Sequence, residues 1–335
     1  MARTLTLVTG ATGMIGRALV PSLVKRGDRV LAVSLDQAPV DWSKWIEEGS
    51  VLFKRVDLRN LVDVIDLMSE VQTVFHLAGV KGSPKLTKQQ PASFFTNTLM
   101  FNLNVMEAAR RSGVSNFLYT SSIGVYSPAQ ILFEDEIEGT IPSVNDRFAG
   151  YAKRMGELQA EAVKIEFGWD CVSIVRPANV YGPFDNFDPA TGMVVPSLIS
   201  KAIDGDGILE VWGNGASVRD FVYVDDVAAA MIHLMDISYR KPVNVGSGVG
   251  HSIRELVQIL QSEIPNLDVE WSNDGPAGDD IRLLDIARLK STGFLPKISL
   301  EEGVSRTIEW YRQHRKQSEF RYNAFYEHRK PSLEK

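Results

Sequence analysis

The stretch LTLVTGATGMIGRALVPSLVKRG, residues 5–27, decides the fold. Leu5 to Thr9 is a short apolar run with β-branched residues, the composition of a buried strand. Gly10, Gly13 and Gly16 follow it, and from Met14 apolar residues recur at helical spacing until Gly27. Strand, glycine turn and helix in this order form a dinucleotide-binding fingerprint. The first glycine permits the tight turn, the second lets backbone approach a pyrophosphate, and the third lets the helix lie on the strand. The helix N-terminus presents N–H groups and its positive dipole end to the phosphates. Thr12, Met14 and Ile15 stand within the turn and are expected to line the cofactor with the glycines.

Outward from this unit, RVLAVSL (29–35), VLFKRVDL (51–58), TVFHLAG (73–79) and NFLYTSS (116–122) read as strands. DCVSIVRPANVYG (170–182) reads as a sixth strand running into a loop. Helical patterns lie between them at 61–70, 92–112 and about 150–166. Strands alternating with helices imply an α/β fold, a doubly wound parallel sheet of the Rossmann type. Beyond Gly182 the pattern changes to a Pro/Asp/Asn-rich loop, a helix near 196–204 and a short strand at 208–213. RDFVYVDDVAAAMIHLM (219–235) reads as a strand and helix returning to the first domain. The expected division is a dinucleotide-binding domain over 1–182 with 219–238, and a smaller C-terminal α/β substrate domain over 183–218 and 239–315. A peripheral tail covers 316–335.

Composition narrows the class. A formal net charge of -6 over 335 residues disfavours nucleic acid and anionic membrane as partners. The lone Cys171 leaves no disulfide framework, which suits a reducing cytoplasm. No apolar run reaches membrane-spanning length, and the N-terminus lacks a secretory layout. The five His and the one Cys show no metal-ligand spacing.

Asp36 stands near the end of the second strand, twenty residues beyond Gly16. A carboxylate there accepts from the ribose hydroxyls and repels a 2′-phosphate. No Arg or Lys occupies 34–38. NAD is therefore expected rather than NADP. The alternative register gives Ser34 the acidic position and leaves Asp36 a solvated loop charge.

The ordered matches TGATGMIG (9–16), VDL (56–58), HLAG (76–79), YTSSIGVY (119–126), YAKRMGE (151–157), RPANVYGP (176–183), RDFVYVDDVA (219–228) and NVGSG (244–248) carry a family resemblance. The chain resembles the extended short-chain dehydrogenase/reductases, specifically the sugar-nucleotide epimerases, dehydratases and reductases. YAKRM and VYGPFDNFDPATGMVVPSLI (180–199) resemble the branch that holds the GDP-fucose synthases. The resemblance implies that Asp57 and Leu58 contact adenine, and that Leu77, Ala78, Gly79, Asn97 and Thr120 line the cofactor path. It implies that Asn179 and Arg219 hold a sugar nucleotide (GDP-, UDP-, CDP- or dTDP-linked), with Arg219 on the diphosphate. A guanidinium fork suits phosphate oxygens, although Arg219 could instead pair with neighbouring Asp220. Lys81, Ser122, Ile123, Gly124, Val195, Trp212 and Arg282 fall on the substrate side by the same resemblance. Trp212 either stacks on the nucleotide or packs in the core, and Lys81 either touches substrate or is a solvated loop charge.

The family chemistry uses Ser, Tyr and Lys. Ser122 and Lys153 match the first and last, but the tyrosine position, four residues before the lysine, is Ala149. Tyr151 cannot replace it on a helix that includes both, because two residues turn the side chain about 200° away from Lys153. Tyr126 is the other phenol nearby. Ala149 is either a Tyr→Ala change made to keep substrate bound unreacted, or the natural residue of a weak enzyme, a different enzyme or a binding protein. Ile123 and Gly124 follow Ser122 where dehydratases carry an acid pair. The positions matching the fucose synthases' epimerising Cys and His are Gly124 and Phe184, which move no proton. What remains is hydride chemistry at sugar C4. With NAD it gives an epimerase, and with NADPH a 4-keto-6-deoxy-sugar reductase. A sugar-nucleotide-binding protein without turnover is the third possibility. The resemblance also implies a homodimer, formed by a four-helix bundle of the 92–112 and 150–166 helices.

Overall fold

The computed structural model describes residues 5–80, 84–272 and 280–315. Its strands are β1 (Leu5–Thr9), β2 (Arg29–Ser34), β3 (Val51–Arg55), β4 (Val71–His76), β5 (Asn116–Thr120), β6 (Ile131–Leu132), β7 (Val172–Pro177), β8 (Asn179–Tyr181), β9 (Ile208–Trp212), β10 (Val218–Tyr223), β11 (Val243–Val245), β12 (Gly250–Ser252), β13 (Asp268–Ser272) and β14 (Ile281–Leu284). Its helices are α1 (Met14–Arg26), α2 (Ser43–Glu47), α3 (Leu61–Leu67), α4 (Pro84–Gln89), α5 (Pro91–Arg111), α6 (Arg147–Phe167), α7 (Val194–Asp204), α8 (Val224–Asp236), α9 (Ile253–Glu263), α10 (Ala287–Ser291) and α11 (Leu300–His314).

Seven parallel strands form the central sheet in the order β11-β7-β5-β4-β1-β2-β3. All five residues of β1 are buried, as a parallel strand covered on both faces requires. Leu19, Val20 and Leu23 of α1 pack with Val227, Met231 and Leu234 of α8 over one face. Val64 of α3, Val105 and Met106 of α5 and Ala160 of α6 cover the other. The sequence expectation of a doubly wound sheet holds. Gly27 ends α1 in the left-handed conformation, φ 98°, and its N–H with that of Asp28 closes on Val24 and Leu23 carbonyls.

Of the boundaries that differ from the sequence reading, three bear on the site. Residues 170–182 hold two strands, because the chain turns at Ala178; β7 stays in the central sheet while β8 pairs with β10. The 219–238 segment divides likewise. Its helix packs on α1, but β10 joins a small sheet with β12 and β14. Finally, α6 begins at Arg147, three residues before the expected start.

A further core joins Leu198 and Ile199 of α7, Leu256 and Leu260 of α9, and Val304 and Ile308 of α11, with Met14 of α1 reaching into it. Two glycines seat α6 on what lies beneath it. A Cβ on Gly150 would fall 2.2 Å from the Gly124 carbonyl oxygen, and one on Gly156 would fall 2.3 Å from the Tyr119 hydroxyl. Among the described residues no helix is long and apolar enough to cross a membrane, and no cluster of His, Cys, Asp and Glu could hold a metal ion.

Candidate active site

The glycine turn is built for close approach. Gly10 has φ +64°, and a Cβ there would lie 2.8 Å from the Ala78 nitrogen. A Cβ on Gly16 would lie 2.4 Å from the Ala11 oxygen, so α1 can rest on the turn only if residue 16 has no side chain. Gly13 caps α1 without any side-chain acceptor, and the first turn contains no acidic residue. The opening N–H groups of Met14, Ile15 and Gly16 therefore meet neither a capping oxygen from Gly13 nor a repelling carboxylate. That arrangement fits a dinucleotide pyrophosphate. Ile15 itself is partly buried between two cores.

At the ribose end, Thr12 Oγ1 lies 2.6 Å from Ser34 Oγ and donates to Asp36 Oδ2 at 2.7 Å. Asp36 is thus held against the turn rather than standing out as a free loop charge. Asp57 is gripped by Arg59, with Nη2 to Oδ2 at 2.6 Å, and the guanidinium holds its carboxyl below the usual carboxylate range. Arg59 also donates to Asn97 Oδ1 at 3.2 Å, bringing Asp57 and Asn97 to one place. Leu58 is buried in the core beneath. Leu77, Ala78 and Gly79 leave the end of β4, where the Ala78 N–H donates to Thr9 Oγ1 at 3.3 Å. His76 is fully buried between Thr9 and Asn102, and burial pushes it down to about 3. It is a packing group.

The positions expected to be catalytic lie beyond the C-terminal end of β5. Lys153 Nζ donates to the Thr120 carbonyl at 2.7 Å, and desolvation pushes its ammonium down to about 8. Thr120 Oγ1 is buried without a hydrogen-bond partner. Ser122 caps a short 3-10 turn, Ile123–Val125, by accepting from the Gly124 N–H at 3.0 Å. Ile123 is itself buried in the core. Behind this turn runs an ion pair that sequence reading missed. Arg176 grips both Glu157 oxygens, at 3.0 and 2.6 Å, and Glu157 also accepts from Ser121 Oγ. Arg176 further donates to the Tyr126 hydroxyl at 3.0 Å and to the Glu134 carbonyl at 2.8 Å. Its sequence signal is the place of Glu157, four residues after Lys153.

Among the described residues, neither Tyr126 nor Tyr151 stands at the position expected for a phenol. Tyr126 is buried, donates to Asn244 Oδ1 at 2.6 Å, and is pushed up to about 12 by burial. Tyr151 lines a groove of about 610 Å³ with Arg154, Leu158 and Glu161, and neither Lys153 nor Ser122 lines it. Ala149 sits in the first turn of α6 against Phe94, on which Val80 also packs. Because α6 starts early, the helical argument that separates Tyr151 from Lys153 applies in full.

On the substrate side, Asn179 Nδ2 donates to the Asp220 carbonyl at 2.9 Å. Arg219 and Arg282 are register partners on β10 and β14, so two guanidiniums arise side by side. Asp220 turns instead to the 246–248 turn, accepting from the Ser247 N–H at 2.8 Å and its hydroxyl at 2.7 Å. Arg282 reaches Asp146 at 2.5 Å and the Ile123 carbonyl at 3.1 Å. Trp212 is about half exposed, with Lys201 Nζ 5.0 Å from its ring centre, so it is not a core residue. Val195 is 2% exposed within the α7 core. Phe184 stacks on the Arg17 guanidinium at 4.0 Å. Lys81 lies outside the described residues.

The match of residues 6–246 to the model of the NAD dependent epimerase/dehydratase family agrees with this geometry. GDP-L-fucose synthase 1 of Arabidopsis thaliana is 31% identical, over 91% of this chain and 92% of its own length. The dTDP-4-dehydro-6-deoxy-D-allose reductase of a Streptomyces species is also 31% identical, over 92% and 97%. The structure of UDP-glucose 4-epimerase from Thermotoga maritima with UDP-glucose superposes with a TM-score of 0.78 at 29% identity, covering 92% of this chain and 99% of that one. Fold, glycine turn, lysine-bearing helix and full-length relatives agree, and the chain belongs to the NAD dependent epimerase/dehydratase family.

Proposed function

We propose that the protein binds NAD and a nucleotide-linked sugar and carries out hydride chemistry at C4 of that sugar, as a slow 4-epimerase. The observation that carries the reading is Lys153 and Ser122 converging at the end of β5, with Asp36 fixed on Thr12 at the ribose end. The N–H groups opening α1 hold the pyrophosphate, and Asp36 accepts from ribose hydroxyls where a 2′-phosphate would be repelled. Lys153 holds the nicotinamide ribose, and Ser122 bonds the sugar oxygen that changes between hydroxyl and ketone. Arg219 and Arg282 grip the diphosphate, with Asn179 beside them. The nicotinamide, when bound, supplies the hydride acceptor and donor.

A second reading, a reductase of 4-keto sugars using NADPH, is supported by the likeness to the dTDP-sugar reductase. The cofactor that copurifies separates the two. Tightly held NAD supports the epimerase; loose binding with NADPH consumption supports the reductase. The 1–182 and 219–238 segments serve the cofactor in this reading, and the remainder up to 315 serves the sugar nucleotide. The exposed apolar residues Met100 and Leu103 of α5 and Leu158 and Ile165 of α6 suit a homodimer through a four-helix bundle. The lone cysteine suits the cytoplasm.

Ala149 sets the rate in this proposal. Ala149→Tyr restores a phenol one helical turn from Lys153 and is expected to raise turnover of the right sugar nucleotide by about 100-fold or more, the usual worth of a positioned acid–base group. A panel of UDP-, GDP-, CDP- and dTDP-sugars, followed by NAD(P)H absorbance and product analysis, reads it. No gain with any of them would remove the catalytic assignment.

A further inference from the structure

Asp146 occupies the N-cap of α6 and does not cap it. An aspartate there ordinarily accepts from an N–H of the first turn. Its carboxylate is instead drawn to Arg282 at 2.5 Å, from a strand 136 positions along the chain. The Asp146 Cβ and Cγ lie 3.4 and 3.5 Å from the point that a Cβ on Gly124 would occupy, and Ser122 Oγ lies 3.4 Å from the same point. The carboxylate and the Ser122 hydroxyl therefore border one small space, kept clear by the glycine. At about 100° per residue, positions 146, 149 and 153 fall on one side of the helix axis. The Asp146 side chain is 27% exposed, open enough to meet a ligand.

We propose that Asp146 is a further proton-transferring residue of this site, serving the sugar oxygen that Ala149 cannot serve. The proposal rests on the reading of the site as one for hydride chemistry on a nucleotide sugar. In the oxidative direction, the carboxylate takes the hydroxyl proton. The sugar O–H bond breaks, a carboxylic O–H bond forms, and C–O becomes C=O as hydride leaves the carbon for the nicotinamide. In the reductive direction, hydride returns to the carbon and the carboxylic acid returns its proton to the oxygen. Arg282 holds the carboxylate at the edge of this space. A diphosphate beside Arg219 and Arg282 competes for the same guanidinium and frees Asp146 toward the sugar. A carboxylate is a weaker base than a phenolate, so the route is slower than the tyrosine route.

The test uses the full chain and four forms: unaltered, Asp146→Asn, Ala149→Tyr and the double variant. Calorimetry with UDP and with GDP reads the site without turnover. Asp146→Asn should bind the preferred diphosphate up to about tenfold tighter, because the Asp146 carboxylate no longer competes for the Arg282 guanidinium. Turnover of the sugar nucleotide should fall about 100-fold or more in Asp146→Asn. It should return in the double variant, where the phenol supplies a second route. Unchanged turnover in Asp146→Asn would overturn the proposal. So would weaker diphosphate binding with a lowered melting temperature, the mark of a purely structural residue. If the unaltered chain is inert on a substrate that Ala149→Tyr turns over, Asp146 is no base and the reading of the site survives. If Ala149→Tyr is inert as well, that reading fails and this proposal falls with it.

Discussion

Replacing Gly16 by alanine tests the cofactor site at its tightest point. The new methyl would lie 2.4 Å from the Ala11 oxygen and 2.6 Å from its carbonyl carbon. An ordinary contact needs roughly 1 Å more, and both obstacles are backbone, so α1 must lift away from the glycine turn. A phosphate bond of about 2.9 Å stretched by that amount is no longer a hydrogen bond. Each charge-assisted bond is worth about 1.5–3 kcal/mol, so losing two costs about 3–6 kcal/mol. At about 1.4 kcal/mol per factor of ten, NAD affinity should fall by at least about 100-fold. Gly27→Ala at the other end of the same helix is the control. Nothing lies within 4 Å of its Cβ, and only its left-handed φ of 98° is strained. It should cost about 1 kcal/mol of stability and leave NAD binding alone. Titration calorimetry and urea unfolding separate the two effects. NAD binding within threefold of the parent in Gly16→Ala would refute the idea that the opening of α1 holds the pyrophosphate.

Two other perturbations probe the catalytic end. Glu157→Gln breaks a pair whose side chains are 12% and 4% exposed and strands the Arg176 guanidinium; urea unfolding should show a loss of about 3–5 kcal/mol, and a loss under about 1 kcal/mol would deny the pair its structural role. Lys153→Met should abolish turnover yet stabilise the fold at pH 7. Lys153 falls from its ordinary 10.5 to about 8 in the folded chain, so below about 8 both states are protonated and the folded one carries the full burden. That burden, at most about 3 kcal/mol, vanishes as pH rises from 8 to 10.5. The advantage of Lys153→Met should shrink over the same interval, and an advantage independent of pH would contradict the assignment.

The central sheet was legible because a parallel strand buried on both faces reads as an unbroken apolar run, as in Leu5–Thr9. The glycine turn was legible because each glycine answers a local steric demand. The start of α6 was not, because the aspartate at its N-cap position makes no cap and is committed to Arg282 on a distant strand, and local capping rules see only neighbours. The Glu157–Arg176 pair joins a helix to a strand and carries no local signature beyond its spacing from Lys153.

Gly150 and Gly156 hold α6 against Gly124 and Tyr119, with Lys153 midway between the two seats. They act as rivets that fix the rotation and axial register of the helix. Residue 149 lies just outside the riveted span and packs on Phe94. A lineage could therefore exchange the side chain at 149 repeatedly while the lysine stayed where it is. The frame is durable and the reactive group is interchangeable, so the same scaffold could pass between fast enzyme, slow enzyme and binder by single substitutions.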